Sequence, residues 1–161
     1  MKKTKILLAL MALTAFCLTL TGCGNDSTST NEEQSAVPFE STELGFSTQL
    51  PAFLAEHMTS EITTMDAYGE PIQTLHIYYA NEEEPVQVLS FDEMSLSAWE
   101  QMQAEGGPAG TELGRSADDR VIILNGLQSN PFAEGSDSFT LFEAWPEQSA
   151  VVTESFQFLE S

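Results

Sequence analysis

Apolar and polar positions alternate along several short stretches of the chain, and each stretch ends at a proline, a glycine or a run of acids. Leu44, Phe46 and Leu50 share one side of Glu43–Leu50, the period-2 pattern of a strand, and Pro51 stops it. Ala52–Met58 reads as one or two helical turns. The threonine-rich Thr59–Ala67 reads as a strand ending at the turn Tyr68-Gly69-Glu70-Pro71. Ile72–Ala80 is the clearest strand, with Leu75, Ile77 and Tyr79 on one face and Thr74, His76 and Tyr78 on the other. Val86–Met94 follows the charged turn Asn81–Pro85, so a hairpin is the expected connection.

Beyond the hairpin the period changes. Ser97 and Glu100 have capping-box spacing and predict a helix over Ala98–Glu105, with Trp99 and Met102 on one face and Gly106-Gly107-Pro108 ending it. The unbroken apolar run Val121–Leu124 inside Arg120–Leu127 predicts a strand covered on both faces. Asn130-Pro131 is a turn. Phe139, Phe142 and Trp145 predict a helix that starts near Ser136 or Asp137 and is closed by Pro146. Val151–Leu159 is left open: VVTE continues a helix, while SFQFL alternates like a strand. The sum is an α+β fold: an antiparallel β-sheet of about four to six strands with two or three helices packed on it.

The N-terminus has a different pattern. Met1–Lys5 is cationic and Ile6–Leu20 is a run of 15 apolar or small residues interrupted only by Thr14 and Thr19. A spanning helix needs about 20 residues, so the run is read as the apolar region of a signal peptide. Leu20-Thr21-Gly22-Cys23 then resembles the lipobox of bacterial lipoproteins, whose cysteine is acylated and becomes the first mature residue. The resemblance implies a signal peptide over 1–22, lipidation of Cys23, and a protein held by its acyl chains at the extracytoplasmic face of the cell membrane. Two chains suffice for stable anchoring where one is marginal. Gly24–Pro38 is dominated by Ser, Thr, Asn and Glu, so residues 23–38 are expected to be a flexible tether reaching about 20 Å. Residues 39–161 are expected to form a single domain.

Charge narrows the partners. The chain carries 25 Asp and Glu against 5 Lys and Arg, a net −20. Without residues 1–22 only Arg115 and Arg120 oppose the 25 carboxylates, for a net −23 and no lysine. Such a surface repels phosphate backbones, so nucleic acid is excluded as a partner. Of the two cysteines, Cys17 leaves with the signal and Cys23 is capped, which excludes thiol catalysis, disulfides and cysteine metal sites.

The remaining motifs carry little chemistry. There is no Gly-x-Ser-x-Gly, and Gly114-Arg115-Ser116-Ala117-Asp118 lacks the second glycine of a nucleophile elbow. His57 and His76 have no metalloprotease spacing, so no catalytic residue, metal ligand or cofactor is assigned. Gly106, Gly107, Gly110 and Gly114 are followed by no lysine and read as a loop after a helix. Glu82–Glu84 and Asp118–Asp119 offer oxygen ligands but no calcium-loop spacing, and read as solvated turns. Trp99 and Trp145 are phased with apolar neighbours, as core residues are. Tyr78 and His76, on the polar side of their strand, are the candidate binding surface.

Gly45-Phe46-Ser47 leading to Leu50-Pro51, Trp99 after a hairpin, Glu112-Leu113-Gly114 before Val121–Leu124, Asn130-Pro131 and the closing Ser155-Phe156 together resemble small lipoproteins of Gram-positive bacteria. Those in turn look like the PsbP-type α/β/α sandwich, over roughly residues 40–159. The resemblance implies fold and setting: in photosynthetic relatives this fold serves as an extrinsic accessory subunit, and it brings no catalytic residues. The expected function is a lipid-anchored accessory or binding module, without catalysis, for an envelope protein partner. The alternatives are an envelope hydrolase with a dispersed site and an acidic surface coat.

Overall fold

A computed structural model describes residues 35–107 and 110–160. The expected signal segment, Cys23 and most of the expected tether lie outside them. Among the described residues eight strands and four helices follow in the order β1 (Ala36–Ser41), β2 (Phe46–Pro51), α1 (Ala52–Ala55), β3 (Met58–Ala67), β4 (Glu70–Tyr79), β5 (Val86–Ser95), α2 (Leu96–Ala104), β6 (Thr111–Arg115), β7 (Arg120–Gly126), α3 (Asp137–Leu141), α4 (Trp145–Glu154) and β8 (Gln157–Phe158). The architecture is α+β, but the strands make two antiparallel sheets where one was expected: β1-β2-β8 and β3-β4-β5-β7-β6. Pro51 and the short α1 turn the chain out of β2 before β3 begins, so β2 pairs backwards with β1 and β8.

The five-stranded sheet is built by local hairpins. Tyr68 and Gly69 form the whole β3–β4 turn, with φ of +56° and +82°. Two residues at positive φ give the twist that antiparallel strands need, and Gly69 adopts it without a Cβ penalty. The alternation in β4 holds: Leu75, Ile77 and Tyr79 are buried together, while His76 and Tyr78 are half-exposed on the opposite face. β7 is covered on both faces as expected. Ile122 and Leu124 join the larger apolar cluster, and Val121 and Ile123 join a smaller one with Ile72, Met94 and Trp99.

The larger cluster joins the two sheets. Phe46 of β2 is fully buried, its ring centroid 4.8 Å from Phe91 of β5 and 5.5 Å from Phe156. The smaller cluster lies beneath α2, which covers only one end of the sheet's other face.

Several boundaries differ from expectation for identifiable reasons. Ala36–Pro38 belong to β1, paired with Leu50, Gln49 and Pro51 of β2, so the domain begins earlier than residue 39. Ser95, not Ser97, caps α2: its side chain accepts from the Ala98 N–H at 3.1 Å, because β5 stays extended as far as Ser95. Pro146 opens α4 instead of closing a helix, since a proline in the first turn gives up an N–H that has no partner there anyway. Phe139, Phe142 and Trp145 therefore straddle α3 and α4, with Phe142 and Trp145 stacked at 5.0 Å. In Val151–Leu159 both patterns are used: the first half extends α4 and Gln157–Phe158 pairs with β2.

Candidate functional site

The half of the five-stranded sheet that α2 leaves open carries Tyr78 and His76. Antiparallel register places Glu61 and Ser90 on either side of His76, and Thr63 and Asp92 on either side of Thr74. Ser90 in turn lies opposite Asn125 of β7. Three consecutive strands and the sequence-distant β7 thus assemble one continuous polar surface.

Its hydrogen bonds run across the strands. His76 Nε2 lies 2.9 Å from Thr63 Oγ1, and Nδ1 lies 3.1 Å from Gln87 Oε1. The tautomer that suits the Gln87 carbonyl oxygen has Nδ1 donating to it and Nε2 accepting from the Thr63 hydroxyl. One imidazole therefore ties β3, β4 and β5 together. Tyr78 donates its hydroxyl hydrogen to Glu61 Oε1 at 2.7 Å, and this bond to the carboxylate raises the Tyr78 pKa above the ordinary phenol value. Farther along, Asp92 accepts from the Thr74 hydroxyl at 2.7 Å and from the Asn125 amide at 2.8 Å. Tyr78 and Glu61 are bonded to each other, whereas His76 and Asp92 are each bonded to uncharged neighbours.

Two clefts flank the outer edge at Ser60 and Glu61. One, of about 490 Å³, runs between Phe39–Glu43 and Ser60, Glu61 and Ile62. The other, of about 370 Å³, is lined by Thr59, Ser60, Glu61, Tyr78 and Pro85. Among the described residues no group of three or more His, Cys, Asp or Glu is arranged to hold a metal ion. Trp99 and Trp145 are core residues, 7% and 5% exposed, as their phasing with apolar neighbours suggests.

Two more carboxylates bind the α2 end of the sheet. Glu70 accepts from the Ser95 N–H at 2.6 Å, chiefly which depresses its pKa. Glu112 is lowered first by Arg115, whose guanidinium donates to it at 2.6 and 3.0 Å, and it also accepts from the Trp99 indole N–H at 3.1 Å. Glu61, Thr63, Gln87, Asp92 and Asn125 carry no motif in the sequence. The alternation of β4 marks the polar face, but only register shows which neighbours complete it.

The chain matches no family model, no curated protein and no solved structure. Among the described residues no helix is long and apolar enough to cross a membrane.

Proposed function

We infer that the protein is a lipid-anchored extracytoplasmic accessory module, non-catalytic, that binds an envelope protein partner through a PsbP-like α+β domain. The observation that carries this reading is the N-terminal succession of a cationic segment, 15 apolar or small residues and Leu20-Thr21-Gly22-Cys23, followed at Ala36 by the first strand. The two antiparallel sheets and the helix over one face support the PsbP-like part. The polar face supports a binding role, since it presents Glu61, His76 and Tyr78 to solvent on one side of the sheet.

The test is Cys23→Ala in the native host. The wild-type protein is expected to take up labelled fatty acid and to partition into detergent, and the variant to do neither. Undiminished membrane association in the variant overturns the anchor.

A hydrolase is the second reading, and one observation favours it: the Thr63 hydroxyl, the His76 imidazole and the Gln87 amide form a hydrogen-bonded row. A catalytic triad places a carboxylate where Gln87 stands, to stabilise the imidazolium. Esterase or peptidase turnover that disappears in His76→Ala would establish this reading over the first.

A further inference from the structure

The five-stranded sheet ends on β6 at one side and β3 at the other, and the two edges are built differently. β6 has five residues, a bulge between Glu112 and Gly114, and a cation in Arg115. Phe156 and Phe158 close over it so tightly that a Cβ on Gly114 would stand 3.0 and 3.2 Å from their rings. In the smaller sheet β1 has six residues and contains Pro38, and β8 has two residues. Short length, bulges, charged side chains (lysine above all) and prolines are the devices by which sheets discourage a further strand.

β3 has one of them, the charges of Glu61 and Asp66, and lacks the rest. It runs for ten residues, pairs with β4 without a register shift, and contains no proline, glycine or cation. Every residue from Thr59 to Asp66 except Ile62 is exposed, Met65 to 60%. No backbone hydrogen bond outside the strand ladders engages Met58–Ala67 among the described residues. The outward row of N–H and C=O groups is a template for strand addition.

Charge selects the occupant. The described cations sit at the far side of the sheet, Arg115 on β6 bound to Glu112 and Arg120 on β7 bound to Glu93 at 3.0 Å. The β3 side carries Glu61 and Asp66 on the strand itself, and Glu40 and Glu43 across the larger cleft. A second copy of this chain would set the same anionic edge against it. We propose that the β3 edge receives an extended, lysine- or arginine-bearing segment of a partner protein as a sixth strand. Alternate side chains of that segment reach the two clefts: one set meets Ile62 with Glu40 and Glu43, the other meets Tyr78 with Glu61. This deepens the accessory-module reading by naming the class of partner segment.

The experiment uses the full chain in detergent and three synthetic ten-residue peptides: alternating Lys–Val, the same with Glu for Lys, and the same with Pro for Val. The expected result is that Lys–Val binds at least about tenfold more tightly than the other two. It also slows amide exchange across Met58–Ala67 and leaves other strands unchanged. Glu61→Lys/Asp66→Lys weakens binding at least about tenfold, and Glu40→Lys/Glu43→Lys, which leaves the strand untouched, weakens it in the same direction. Equal binding of the Lys–Pro peptide would show charge attraction without strand addition and overturn the proposal. Absence of binding, protection elsewhere, or β3 protection that grows with protein concentration alone also overturns it. Cys23→Ala must bind the Lys–Val peptide as the wild type does, so loss of the anchor and loss of the edge are read separately.

Discussion

Glu70 shows how one side chain ties sequence-distant parts together. Its carboxylate takes the N–H of Ser95, the residue whose own hydroxyl caps α2. In a capping box this acceptor comes from the third residue of the same helix; here that residue is Ala98, and the acceptor arrives from β4. The bond lowers the Glu70 pKa below its ordinary 4.5. A carboxylate depressed by folding stabilises the protein above its unfolded value, and that contribution is lost as pH falls through the folded value. Glu70→Gln keeps an oxygen acceptor but loses the charge, so it is expected to cost about 1 kcal/mol at pH 7. Urea midpoints of the two proteins should differ at pH 7 and draw together as pH falls below 4.5; a gap of constant size would assign the effect to packing.

At the scale of elements, β4, β5 and β7 were legible because their apolar alternation or run is regular and their burial follows it. β1 and β6 were not. AVPFES contains a proline and TELGR a glycine, and neither alternates strongly; both are edge strands whose pairing is supplied by a neighbour. The candidate face was legible only as Tyr78 and His76, because periodicity gives a face but not a register. β1 also changes an expectation about trimming. The low apolar content of 24–38 suggests that a chain beginning at Phe39 folds as well as a longer one. Yet Ala36, Val37 and Pro38 pair with β2, and Ser35 accepts from the Ala52 N–H at 2.9 Å. A chain beginning at Phe39 should therefore melt several degrees below one beginning at Asn31, a shift of about 4–8 °C for each kcal/mol in a domain of about 100 residues. Equal melting temperatures would mean that the first half of β1 adds nothing.

For the whole molecule, charge is the dominant long-range force. Both cations of the described residues are already in ion pairs, Arg115 with Glu112 in the open and Arg120 with Glu93 partly covered, so neither is free to offset the other acids. The remaining carboxylates repel one another, and salt shortens the reach of that repulsion from about 10 Å at 0.1 M to about 3 Å at 1 M. The melting temperature is expected to rise with NaCl from low to moderate ionic strength. Ca²⁺ and Mg²⁺ are expected to act alike at equal ionic strength. A saturable rise specific to Ca²⁺, abolished by Asp118→Asn/Asp119→Asn or by replacing Glu82–Glu84, would contradict that and locate a site.

The entry to α2 has a consequence for how the molecule opens. Glu70 holds the Ser95 N–H from the start of β4, the Asp119 carbonyl holds the Leu96 N–H from the β6–β7 turn, and Glu112 of β6 holds the Trp99 indole. Nine residues are too few for a helix to persist alone in water. Both outer hairpins must therefore be in place before α2 is complete, and α2 cannot unwind fully without releasing both. The helix acts as a crossbar, making a sheet of separately formed local hairpins into one cooperative unit.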